Sequence, residues 1–168
     1  MIFVTVGTHE QPFDRLIKII DHLVENHVIS ERVIMQIGYG KYLPKYCTYE
    51  RFFSYQQIIK NIKEAKIVIT HGGPSSFILP LQIGKIPIVV PREKRYGEHV
   101  NDHQVEFVSM VEQRKKNLIV ARDEKTLIRS IESYGTLVRN LSSRVDMNNS
   151  QFNFDIKKIV SELFGEEN

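Results

Sequence analysis

One cysteine stands in the whole chain, at position 47. A lone thiol excludes a disulfide framework and a cysteine zinc site, and it suits a reducing compartment. No apolar run approaches the ~20 residues that a membrane-spanning helix needs. The opening MIFVTVGTHEQPF has neither the basic start nor the long apolar stretch of a secretory signal. The expectation is a soluble cytoplasmic protein that meets a membrane only through a surface or a partner. Charge of one sign is missing too. Lysine and arginine total 23 against 20 aspartate and glutamate, a net of +3, and the longest basic run is QRKK at 113–116. No basic stripe interleaved with aromatics occurs, so nucleic acid is not expected as a partner.

What the chain has is alternation. With 168 residues and 42% apolar content it can bury one good core, not two large domains. MIFVTV, RVIMQIG, AKIVITHGG, IPIVVP and NLIVA are short β-branched runs that end in glycine, proline or polar residues. Between them lie helical patterns: one from Pro12, and others over 56–64, 74–84, 102–113 and from the Asp123 cap onward. Strands alternating with helices predict an α/β fold, a Rossmann-like parallel sheet with helices on both faces. That domain spans 1–138. Residues 139–151 are polar enough for a linker, and 152–165 form an amphipathic helix with Phe152, Ile156, Ile159, Val160 and Leu163 on one face. The apolar face suits docking on the core or on a partner, and a homodimer through it stays open.

In such sheets ligands sit at the carboxyl ends of the strands. Gly7, Gly38, residues 71–73 and the loop after Pro91 all fall there. The stretch IVITHGGPSSF at 67–77 carries the strongest signal. Pro74 suits the first position of a helix, and Gly72 and Gly73 let a ligand approach backbone amides at the positive end of that helix. A phosphate is the natural occupant, with Ser75 and Ser76 as hydroxyl donors. The plainer alternative is a tight strand–helix turn with Ser in its ordinary capping role. No GxGxxG follows a strand, GYGKY lacks the ends of a P-loop, and no serine-hydrolase elbow is present. His99 and His103 are spaced i, i+4 like a zinc pair, yet no glutamate follows His99 and no third ligand is evident. No metal and no cofactor are expected.

VTVGTHEQPFDRLI, VIMQIGYG, ITHGGPSSFILPLQIGKIPIVVP and EHVNDHQVEF together resemble the C-terminal, donor-binding half of GT-B glycosyltransferases, and within them the family-28 C-terminal domain. Among single-domain relatives the likeness is to the catalytic subunit of the two-component UDP-GlcNAc transferase of N-glycan assembly, and to bacterial exopolysaccharide transferase subunits of the PssE type. The resemblance covers about residues 1–135.

The resemblance implies a nucleotide-sugar-binding domain and a UDP-sugar donor. It implies that Gly7, Thr8, His71, Gly72, Gly73, Ser75 and Ser76 hold the donor diphosphate, and that the turn at Phe53 and Ser54 lies near the uracil. His99, Asn101, Asp102, His103 and Gln104 approach the donor sugar. One departure stands out: where many GT-B enzymes carry a ribose-binding glutamate, this chain has Leu79 or Pro80. Pro80 also implies a kink or a short helix. Helix N-termini at Gly7 and Gly73 stabilise the departing diphosphate, so that metal is not required. His9 is the local candidate for the base, with phosphate contact or loop packing as the equal alternative.

A GT-B site lies between two domains, so the acceptor half is expected on a separate, membrane-associated, PssD-like subunit holding a lipid-linked acceptor for exopolysaccharide or capsule synthesis. Recruitment to the inner face of the cytoplasmic membrane would follow from that partner. A non-catalytic UDP-sugar-binding regulatory module and a sugar-nucleotide 2-epimerase-like protein are the alternatives.

Overall fold

The structure, a computed structural model, describes residues 1–115 and 117–142. Six parallel strands form one sheet in the order β3-β2-β1-β4-β5-β6. They are β1 (Ile2–Thr5), β2 (Val33–Gln36), β3 (Thr48–Glu50), β4 (Ile67–His71), β5 (Ile88–Val90) and β6 (Ile119–Val120). The chain winds outward from β1 to one edge, then crosses to β4 and winds to the other. That order leaves a crevice at the carboxyl ends of β1 and β4, where the winding reverses.

Strict alternation of side chains explains why both faces are covered. Ile2, Val4, Ile67, Ile69, Ile88 and Val90 point into one cluster with Leu16, Ile17 and Ile20 of α1 (Asp14–Glu25) and Leu127 of α5 (Glu124–Glu132). Leu137 of α6 (Tyr134–Ser142) packs against the same cluster. Phe3 and Val68 face the other way, onto Ile62 of α2 (Tyr55–Glu64). Val89 packs there with Phe77 of α3 (Pro74–Gln82) and with Phe107, Val108 and Val111 of α4 (His103–Lys115). A strand buried on both faces must be apolar throughout, which is the pattern of IFVT and IVIT.

Pro80 lies in the last turn of α3, so the helix is short rather than kinked. Gly84, at φ +82°, follows its end. The Lys85 N–H then reaches the Pro80 carbonyl at 2.9 Å and the Gly84 N–H reaches that of Leu81 at 3.0 Å, a left-handed glycine cap. Two elements depart from the sequence expectation. β3 adds an edge strand, and α6 carries helix past Val138 to Ser142. The rest of the expected linker and the helix at 152–165 lie outside the described residues.

Candidate functional site

The crevice between β1 and β4 is built around His71. This residue closes β4, and its imidazole sits between two glycines: a Cβ at Gly7 would strike its Nε2, and a Cβ at Gly73 its Cε1. Both glycines are therefore required by the ring itself. Gly7 also adopts φ +74°, a left-handed conformation that costs other residues about 1–2 kcal/mol.

Hydrogen bonding fixes the ring's proton. The Gly73 N–H donates to Nδ1 at 3.0 Å. An amide can only donate, so Nδ1 keeps its lone pair and the neutral ring carries its proton on Nε2. Nε2–H then donates to Ser76 Oγ at 2.6 Å. Gln104 Oε1, 3.5 Å from Nδ1, is too far to compete. Burial, then the nearby Arg92 cation, push the His71 pKa down to about 3, with Gln104 opposing and His9 and His99 adding smaller effects. His71 is thus neutral at working pH. Because Ser76 Oγ accepts from the ring, its own O–H is left to donate outward.

The amides expected to face a ligand are used differently. Gly72 N–H donates to Gln104 Oε1 at 3.0 Å, and Gly73 N–H is taken by His71. Ser75 N–H has no hydrogen-bond partner among the described residues. With the Ser76 hydroxyl and the positive end of α3, it is the donor group open to an anion. Gly7 brings no helix end of its own: α1 starts only at Asp14, so Gly7 opens a loop rather than a helix. Thr8 is exposed on that loop.

Gln104 ties three elements together. It sits on the first turn of α4, is 9% exposed, and its Oε1 accepts from Gly72 N and, at 3.2 Å, from Arg92 N. Expected near the sugar, it bonds directly to the HGG turn. Asn101 Oδ1 accepts from His103 N at 3.3 Å, starting α4, while Asp102 Oδ1 accepts from Lys94 N at 2.8 Å. Asp102 and His103 are exposed. His99 turns toward the first loop: its ring lies against that of His9, centroids 4.7 Å apart and planes tilted by 40°.

At Phe53 and Ser54 both amides are occupied. Phe53 N–H donates to Gln36 Oε1 at 2.9 Å, and Ser54 N–H to Gln57 Oε1 at 2.9 Å within the capping box of α2. A base at this turn would meet carbonyls and rings rather than amide donors. Leu79 packs against the Phe3 cluster, so the position that lacks the glutamate faces the core.

Sequence reasoning missed Gln36, Arg92, Glu98 and Arg15. Gln36 Nε2 reaches Thr5 Oγ1 and the Gly7 carbonyl, both at 3.3 Å, and so holds the first loop to the Phe53 turn. Arg92 is 1% exposed and donates to the carbonyls of Gln11 (2.7 Å), Glu98 (2.9 Å) and Val6 (2.9 Å). Its Nε has no acceptor. Burial pushes its pKa down to about 10, with Glu98 opposing, so it remains a cation beside the site. The Glu98 carboxylate is itself gripped by Arg15, at 2.8 and 2.9 Å. The only signal for Arg92 was its place directly after a strand-ending proline. Among the described residues no group of three His, Cys, Asp or Glu side chains is placed to hold a metal, and no helix is long and apolar enough to cross a membrane.

Comparison with known proteins gives likenesses in sequence and in fold. The chain is similar to the UDP-N-acetylglucosamine transferase subunit ALG13 of Homo sapiens, 34% identical over 119 residues, which is 66% of this chain and 10% of that protein. It is similar to the same subunit of Mus musculus, 32% identical over 123 residues, 65% of this chain and again 10% of that protein. The chain thus spans about a tenth of the length of these curated relatives. In fold it matches the glycosyltransferase SnogD from Streptomyces nogalater, with a TM-score of 0.51 at 14% identity, covering 96% of this chain and 40% of that one. The model of the glycosyltransferase family 28 C-terminal domain matches residues 1–163. With its parallel sheet, its reversal crevice and the HGG turn set in it, the chain belongs to the glycosyltransferase family 28 C-terminal domain family.

Proposed function

We propose that this chain is the donor-binding, catalytic subunit of a two-component inverting glycosyltransferase that moves a sugar from a UDP-sugar to a lipid-linked acceptor. The observation that carries the reading is the Ser75–Ser76 donor pair, set at the positive end of α3 by a His71 ring locked neutral between Gly7 and Gly73. A diphosphate bound there meets an amide, a hydroxyl and a helix dipole, with the buried Arg92 cation acting only through its field. These groups stabilise the negative charge that grows as the acceptor hydroxyl attacks the anomeric carbon and the bond to UDP breaks. No metal is invoked in that step. The names of the ALG13 relatives support a UDP-sugar donor and a subunit role. Thr8, Phe53, Ser54, Asn101, Asp102, His103 and Gln104 are proposed to frame the nucleotide and sugar. The partner is a membrane-associated, PssD-like subunit, and the setting is assembly of exopolysaccharide or capsule on a lipid carrier.

Ligand-observed NMR with UDP, ADP and NAD, with and without Mg²⁺, tests the reading on wild type and Gly73→Asp. Selective, metal-independent UDP binding lost in the variant supports it. Equal binding of all three nucleotides, or binding that survives in a folded variant, overturns it. Transfer from labelled UDP-sugar with the partner subunit present separates the enzyme from a UDP-sugar-binding module without activity.

A further inference from the structure

The proposed donor site has at its edge two histidines that lie 90 positions apart in the chain yet pack with ring centroids 4.7 Å apart, planes tilted by 40°. The structure brings them together deliberately: Arg92 holds the carbonyls of Val6 and Gln11 on the first loop and that of Glu98 on the second. Each ring is locked the same way. Gln11 N–H donates to His9 Nδ1 at 3.1 Å, and Asn101 N–H donates to His99 Nδ1 at 3.4 Å. Each neutral ring therefore carries its proton on Nε2. Neither Nε2 has a hydrogen-bond partner among the described residues. Two half-buried N–H donors thus stand open beside the buried Arg92 and within electrostatic reach of His71.

We propose that His9 and His99 act as a pair of neutral Nε2–H donors to the phosphoryl oxygens of the departing nucleoside diphosphate, and that neither is the general base. The proposal rests on the donor-site reading above. A base at Nε2 needs its lone pair, and moving the proton to Nδ1 would set it against the Gln11 or Asn101 amide. Forming an imidazolium meets the same conflict. The charged surroundings agree for His9. Burial first, then His99 and Arg92, hold its pKa below the usual histidine value, with Glu10 alone pulling the other way. As the sugar–oxygen bond breaks, its electron pair stays on the diphosphate and the two N–H groups bond to that charge. The acceptor's proton goes to a base on the acceptor-binding side, a carboxylate or an imidazole. A neutral imidazole used as an electrophile has precedent in the handling of carbonyl charge by triosephosphate isomerase.

Glutamine separates the roles, because its amide N–H can stand in for Nε2–H but cannot accept a proton. The experiment titrates UDP into the full chain for wild type, His9→Gln, His9→Ala, His99→Gln and His99→Ala. Long-range ¹H–¹⁵N NMR reads the imidazole tautomers of wild type. The expected result is Nε2–H on both rings with and without UDP, a Kd weakened about tenfold or more by each alanine, and glutamine variants close to wild type. A proton on Nδ1 of either ring, or alanine variants that bind UDP as wild type does, overturns the inference alone. A folded wild-type chain that binds no UDP overturns the donor reading together with it.

Discussion

The imidazole of His71 occupies the space a side chain at Gly7 would fill. Residues 64 positions apart are thereby made mutually exclusive in size, and a glycine that reads as a flexible turn is in fact a packing requirement. Gly7→Ala should destabilise the chain by about 2–4 kcal/mol, combining the crowding of His71 with the left-handed φ. Gly73→Ala has an ordinary φ of −71°, so only crowding acts, and about 1–3 kcal/mol is expected. Urea unfolding of a double-mutant cycle with His71→Ala checks this. The coupling should remove most of the Gly73→Ala cost but leave the backbone part of Gly7→Ala.

His71 also sets an acid limit. Its native pKa of about 3 lies below the unfolded value of 6.5, so the unfolded chain binds the proton first. Stability is therefore complete above pH 6.5 and is lost as pH falls through the window from 6.5 toward 3, at about 1.4 kcal/mol per pH unit for this group. Asp21 acts elsewhere on the scale. Burial raises its pKa, but the amides of Lys45 and Tyr46 outweigh that and hold it below 3.8, so its contribution fades only under more acid conditions. Denaturation at pH 7.5 and pH 5 should differ by about 2 kcal/mol on account of His71. His71→Asn, which keeps an acceptor for Gly73 N–H, should flatten most of that difference.

Much of this architecture was legible because burial on both faces forces apolar strands. IFVT and IVIT carry no polar residue before their last position, and the HGGP turn marks a strand end and a helix start at once. The edge strand β3 was not legible. Its three residues, TYE, are exposed, half-buried and exposed, so no core pattern betrays them. Gly135 in YGTLVRN reads as a stop signal, yet it falls inside the first turn of α6, where Tyr134 Oη anchors the helix to the Ile86 carbonyl at 2.7 Å. Within the site, residue types were readable but partners were not. Nothing local in REKRYGEH says that Arg92 is buried under Val6 and Gln11, because those contacts cross about half of the chain.

Ser75 and Ser76 are adjacent but should behave differently. Ser76 Oγ accepts from His71 Nε2–H, so Ser76→Ala strands a buried donor and removes an outward hydroxyl. A stability loss of about 1–2 kcal/mol and a UDP affinity about tenfold weaker are expected. Ser75 is exposed and offers its backbone amide, which alanine retains. Ser75→Ala should therefore melt and bind within about 0.5 kcal/mol of wild type. Thermal melts and UDP titration of both variants decide the matter; equal losses in the two would show that the His71–Ser76 bond does not orient the donor.

The last prediction concerns the brace that holds the two histidine loops together. Arg15 grips Glu98 with two bonds, and Glu98 Oε2 also accepts from Glu93 N at 3.0 Å. The Glu98 side chain is 4% accessible and that of Arg15 18%, so the pair is shielded from salt on the protein side yet touches water on the other. Glu98→Gln leaves Arg15 and Arg92 as two cations with their nearest shielded carboxylate gone. A loss of about 2–4 kcal/mol is expected, at the lower side of what breaking a fully buried pair costs because Arg15 can rehydrate. The loop carrying His99 should loosen with it. Imidazole ring NMR should then show the His9 and His99 resonances losing their mutual ring-current shifts while those of His71, held by Gly73 and Ser76, stay in place. Salt supplies the control. The wild-type pair should keep most of its contribution in 1 M NaCl, where the Debye length falls to about 3 Å, whereas an exposed pair such as Lys60–Glu64 would not. A variant as stable as wild type in low salt would show that the carbonyl contacts of Arg92 alone hold the two loops.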